Sequence, residues 1–455
     1  MADTISFATL LPLRRRGLVK RYKWWCGALG FAAGAAVVTS IVFGGGSDAS
    51  FPALVLPQMP RALVVDGRTS RAFLTIPDRA GRPQGTVWLV DTRTGRLQRV
   101  VTVPVDPGPM VVDDRAGQVI VGDIGGTGVS ILDAHTGTMV RGITVPGSVS
   151  LSSLAVDVRT HHLFLATLDG NVRTVDLTTG RMLTSASGQT LSSTSDLAID
   201  TRTERVFIAD RYAGASPLIS RQQGTIRVLD AHSGRVLHTV AVGVNPRHVV
   251  VDARAHRVVV VNAGTGLTAG SLSVLDATSG RTIRTIALGY PIYALAPDAS
   301  SGHMFTLGAG GVMILDVRTG RIRQAIALDG MPVAIAVDGT AGRLSILTEH
   351  EQVQASMVIH TNSISIFDTR AGVTKRSITV SEPLVINPND ANTPLLAVDN
   401  RARRIVAVVD GGITYAPVPS WNWIPSRLRA WLPFFTHLEA HARAVAPRLV
   451  VRAEP

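Results

Sequence analysis

The chain has 455 residues, 45% hydrophobic and 17% charged, which is ample for a large core. Its net charge of +12 comes from arginines spread along the chain, with only three lysines (Lys20, Lys23, Lys375), and no nucleic-acid reader motif accompanies it. No nucleic-acid partner is expected. The single cysteine, Cys26, excludes disulfides, a cysteine-based metal site and a thiol nucleophile from everything beyond it.

Residues 1–23 form a basic N-terminus ending in "RRRGLVKRYK" at 14–23. The run 24–43, "WWCGALGFAAGAAVVTSIVF", carries no charge and at about 1.5 Å per residue can just span the hydrocarbon of a bilayer. Basic residues before it, Trp24 and Trp25 at its edge and a "GGGSDAS" linker at 44–50 predict a single transmembrane helix with a cytoplasmic N-terminus and an extracytoplasmic body. A cleaved signal peptide is the rival, but its apolar region usually runs about 7–15 residues and ends in a better site than "SDAS". The length favours a retained signal-anchor. "RRGLVK" also resembles a twin-arginine export signal, with Leu18 where Phe is common, and is equally well read as ordinary positive-inside residues. Either route gives the same address, the cell membrane.

From residue 51 the chain repeats. One block places an Asp four residues before a Gly between two apolar runs, as in "GTIRVLDAHSGRVLHTVAVG" at 224–243. The Asp recurs at 91, 133, 176, 230, 276, 316 and 368, and the Gly at 95, 137, 180, 234, 280, 320 and 372. Asp230, His232 and Ser233 look like the raw material of a nucleophilic site, but the His and Ser vary between copies while the turn-forming Asp and Gly do not. A hairpin explains both the constants and the variables. A second block, two short apolar strands around an Asp, recurs at Asp66, Asp113, Asp157, Asp200, Asp252, Asp298, Asp338 and Asp399. Together the blocks make four antiparallel strands per unit, which is the blade of an all-β propeller.

The first block occurs seven times and the second eight, so one blade lacks its outer half. Residues 53–57 and 412–418 can supply it from the two ends of the chain. The count then gives eight blades, with seven as the alternative if the last unit packs outside the ring. The pattern at 226–262 resembles the YVTN family of β-propeller repeats, and the resemblance covers 51–418. It implies a propeller and leaves activity open, since such propellers serve as binding modules, surface-layer proteins, lyases, lactonases and quinoprotein subunits. No catalytic residues of those enzymes can be matched, and no cofactor is identified.

In a propeller the first-to-second and third-to-fourth strand turns share one face. Here both kinds are short, and the insertions at 185–196, 210–224, 262–271, 348–362 and 380–394 all belong to the opposite face. That elaborated face is expected to bind an unknown protein or small molecule. A polar residue recurs where second strands end: Asp78, Asp123, Asp169, Asp210, Asn262, His350 and Asp410. These could ring the channel mouth as ligand-binding groups, or simply form turns. Glu349, His350, Glu351 and His360 fit no zinc-helix spacing, and no metal site is expected. The tail, 419–455, concentrates Trp421, Trp423 and Trp431 with Phe434, Phe435 and arginines, a composition suited either to a membrane interface or to covering the propeller's side. The expectation is thus a membrane-anchored extracytoplasmic binding module, with a propeller enzyme as the alternative.

Overall fold

A computed structural model describes residues 54–417, with interruptions of which the longest are 78–83, 187–191, 213–221 and 381–395. The predicted N-terminus, transmembrane helix, linker and C-terminal tail lie outside the described residues. Those residues hold only β-strands, turns and irregular segments, and no helix among them is long and apolar enough to cross a membrane.

The strands form eight four-stranded antiparallel sheets within the first of the chain's two compact units, Met1–Ala416. Seven are unbroken runs of chain and are blades 1–7: 62–103, 107–144, 151–186, 192–244, 246–287, 292–326 and 331–380. The eighth, the closing sheet, is stitched from both ends. Its inner strands are Leu396–Asp399, Arg404–Val409 and Gly412–Pro417, and its outer strand is Leu54–Val55, paired through Leu54 with Ile413 and through Val55 with Gly412. Innermost strands pack side by side around the ring, and Leu396–Asp399 touches those of both blade 7 and blade 1. The result is an all-β propeller of seven blades of unbroken chain, with this stitched sheet in contact with the first and the last of them.

Hydrophobic alternation builds the ring. In blade 2, Val119 and Val121 pack with Phe73, Val87 and Leu89 of blade 1, while Ile120 between them packs with Leu154 and Leu165 of blade 3. Successive side chains of a strand point to opposite faces, so a strand buried on both faces must be apolar throughout. That is why second strands read "QVIVGD" or "RVVVVN". Fourth strands lie at the rim and are mostly exposed, leaving Val100, Val140, Leu237 and Ile283 in solvent.

The repeated turns have the predicted chemistry. Asp230 Oδ1 accepts the N–H groups of His232 (3.2 Å) and Ser233 (2.7 Å) and the Ser233 hydroxyl (2.8 Å). The Gly234 N–H closes on the Asp230 carbonyl at 2.8 Å. Gly234 has φ of 67°, in the left-handed region, and a Cβ there would meet Thr184 Oγ1 of blade 3 at 2.0 Å. His232 and Ser233 are therefore parts of a turn.

These turns all lie on one face, the plain face. The strand ends that flank the connections at 78–84, 145–150, 213–222, 263–270 and 381–395 lie on the other. One expected loop differs: 348–362 continues the strands of blade 7 as a long hairpin, Arg343–Gln354 with Met357–Asp368. In sequence "EHEQVQ" lacks the apolar alternation that marks a strand.

Candidate ligand-binding site at the channel mouth

The recurring polar positions fall at or near the loop-face ends of second strands, and those described are engaged in bonds within the blades. Asp123 is 1% exposed and accepts the N–H groups of Asp106 (3.0 Å) and Gly125 (2.9 Å). Asp210 receives Arg227 in a two-pronged ion pair, Nη2 to Oδ1 at 2.9 Å and Nε to Oδ2, and Arg227 also donates to the Gly170 carbonyl of blade 3 at 2.6 Å. The fully buried Asn262 amide donates to Ser271 Oγ (3.1 Å) and Ser273 Oγ (2.9 Å). His350 Nε2 lies 2.9 Å from Ser363 Oγ.

Asp169 is exposed. Partial burial would raise its pKa, but hydrogen bonds from the Thr167 hydroxyl and from the Asn171 backbone and side chain outweigh it and hold the carboxyl below its ordinary value. Asp78 and Asp410 lie outside the described residues. The described members of this ring are turn and inter-strand fasteners first.

A different set of residues converges at the mouth, on the innermost strands. Blades 2–7 each carry a register shift at the loop-face end of that strand, beside Met110, Ser153, Asp196, His248, Ala294 and Ala334. Bulges re-aim side chains and often border functional sites. Across blades 3, 4 and 5 the residues after the bulge are linked. Ser153 Oγ donates to Asp196 Oδ1 at 2.9 Å, and the Leu197 N–H shares that oxygen at 2.8 Å. Asp196 Oδ2 accepts the Val249 N–H at 3.1 Å and lies 3.6 Å from His248 Nδ1. Asp196 thus clamps three adjacent innermost strands.

One position earlier stand the arginines. Arg61, in blade 1, pairs with Asp106 at 2.6 Å. Arg247, at the corresponding place in blade 5, has no such acid among the described residues: burial and the nearby Arg211 both lower its pKa, and its buried Nε has no hydrogen-bond partner among them. His248 Nε2 is likewise buried without a partner among them. No group of three or more His, Cys, Asp or Glu suited to a metal occurs among the described residues. Glu351 and His360 are cross-strand neighbours in the blade 7 hairpin.

Ser153, Asp196, Arg247 and His248 were not singled out from sequence. The signal was there in reverse: four residues before the first-turn Asp, the other complete blades carry Ala62, Pro109, Ala294 and Ala334, and only blades 3–5 carry polar groups.

No protein-family model and no curated protein matches the chain. Among solved structures, the computationally designed protein Ika8 superimposes with a TM-score of 0.59 at 16% identity, covering 80% of this chain and 98% of its own. Kuenenia stuttgartiensis hydrazine synthase gives a TM-score of 0.49 at 14% identity, covering 85% of this chain and 99% of that one. The WD40 repeats of RRP9 give 0.49 at 15%, covering 67% and 92%. At this identity the likeness to Ika8 concerns the fold alone, and it agrees with the β-propeller that the sheet topology shows.

Proposed function

We propose that this chain is a membrane-anchored, extracytoplasmic propeller of the YVTN-repeat kind that works as a binding module, taking a ligand or protein on its loop face. The observation that carries this reading is the asymmetry of the two faces: plain-face turns are uniformly short and every long connection is on the other side. Strand direction supports the anchor's place in it. Leu54–Val55 occupies a fourth-strand position, so the chain enters it from the plain-face side, and Gly412–Pro417, in third-strand position, runs toward the same side. The described chain therefore both begins, at Leu54, and ends, at Pro417, on the plain-face side of the closing sheet, and in this reading the loop face is the one offered to a partner.

The test is full-length protein solubilised from membranes, with protease protection of both faces in intact cells and mass spectrometry of what co-purifies. The expected outcome is a membrane-retained chain whose loop-face cleavage sites are shielded by a co-purifying ligand or protein. Recovery of the whole chain in the cytoplasmic soluble fraction sinks the reading.

A second reading, an enzyme of the lyase, lactonase or quinoprotein type, is favoured by one observation, the convergence of Asp196, His248 and Arg247 at the mouth. Turnover or a bound quinone in the purified chain would select it.

A further inference from the structure

Arg61, just before the innermost strand of blade 1, and Arg247, on that of blade 5, hold corresponding places, and among the described residues only Arg61 has a counter-charge. Arg61 has Asp106 at 2.6 Å, from the segment that leads into the next blade. For Arg247 that segment is 290–292, Tyr-Pro-Ile, with no acid in it. The nearby carboxylates are in use: Asp196 holds Ser153, Leu197 and Val249, and Asp210 holds Arg227. The connections at 187–191, 213–221 and 265–267 contain no Asp or Glu. Arg211, on the second strand of blade 4, adds a like charge.

A guanidinium partly withdrawn from water beside another cation is costly unless an anion offsets it. Burial and Arg211 both push the Arg247 pKa down, the direction expected where a counter-ion is missing. The bulge between Pro246 and His248 sets Arg247 apart from the regular strand pairing, and its side chain is only half-buried. The flat fork of N–H donors on an arginine matches the paired oxygens of a carboxylate or phosphate.

We infer that Arg247, flanked by Arg211 and His248, is a binding site for an oxyanion, the carboxylate or phosphate of a ligand entering the channel from the loop face. The inference rests on the binding-module reading and names the chemistry of its ligand. Bound there, the anion takes the place that Asp106 fills beside Arg61.

The test uses the full chain in neutral detergent, titrated calorimetrically with inorganic phosphate and separately with malonate, each against sodium chloride of equal ionic strength. Saturable binding of either anion is expected, with the preferred one identifying phosphate or carboxylate as the ligand group. R247Q should weaken it at least about tenfold, R247K should recover part of the loss, and R61Q should leave it unchanged. R247Q should unfold no earlier than the parent in chloride alone. Absence of binding by both anions, or binding that survives R247Q, overturns the assignment. So does a lower melting temperature of R247Q in chloride, which would give Arg247 a structural partner. A chain that fails here but still co-purifies with a shielding partner keeps the binding-module reading and loses only this site.

Discussion

The Thr92 hydroxyl donates to the Asp399 carboxylate across 307 positions of sequence, joining blade 1 to the closing sheet. Asp399 is fully buried, and the residue in Thr92's place is Ala134, Leu177, Ala231, Ala277 or Val317 in the next five blades. Arg401 Nη1 reaches the Arg68 carbonyl across the same seam at 2.5 Å. The joint between the chain's two ends thus has a fastener that these other joints lack.

Thr92→Val should therefore weaken the ring where it closes. A lost hydrogen bond to a buried charge is worth about 1.5–3 kcal/mol. Urea unfolding should show a loss of that order, and hydrogen exchange should quicken first in 62–66 and 396–399. Uniform exchange across all blades would contradict the assignment.

Gly234→Ala tests the plain-face turns. The left-handed backbone costs a non-glycine residue about 1–2 kcal/mol, and the added methyl also meets Thr184 Oγ1. The variant should lose at least that much stability in denaturant, whereas Ser233→Ala, which removes one hydroxyl bond of an exposed turn, should lose less.

Asp210→Ala separates fastening from ligand binding. It leaves Arg227, 2% exposed, as an uncompensated buried charge, so a loss of about 3–5 kcal/mol is expected. Replacing both partners by apolar residues of similar size should restore most of it. Anion binding at Arg247 should persist in that double variant, and its disappearance would mean that Asp210 belongs to the ligand site.

Acid should loosen the plain face. The Thr136, Ser233 and Ser279 backbone N–H groups lead the effects that hold Asp133, Asp230 and Asp276 below their ordinary value of 3.8. Carboxyls depressed in the folded state contribute stability that is present above the unfolded value and is lost as pH falls through the folded one. Denaturant midpoints should hold steady down to about pH 4 and then fall steadily. Changing all three residues to Asn should flatten that fall.

Most of the fold was legible because it is local and repeated. The Asp-to-Gly spacing writes a turn, and uninterrupted runs such as that ending at Asn262 mark strands buried on both faces. The mouth was not legible, for two reasons. Asp196 and His248 lie in different blades and meet only once the ring forms. Recurrence, which separates turn from site at Asp230, selects against residues that occur once at their repeat position, and Asp196 and His248 each do. The recurring Asp123, Asp210 and Asn262 each make bonds within their own blades. The hairpin at 343–368 was missed because "EHEQVQ" in its outer half carries no apolar alternation.

The closing sheet also sets an order of events in the life of each molecule. Leu54 and Val55 are among the first residues of the body to be made, and their partners Gly412 and Ile413 are among the last. Until those arrive, Leu54–Val55 and Arg404–Val409 lack the strand that lies between them, and open sheet edges invite pairing with other chains. A polypeptide that stops short of residue 412 lacks the one strand that pairs with Leu54–Val55, so the last stitch ties the two ends of the ring to each other.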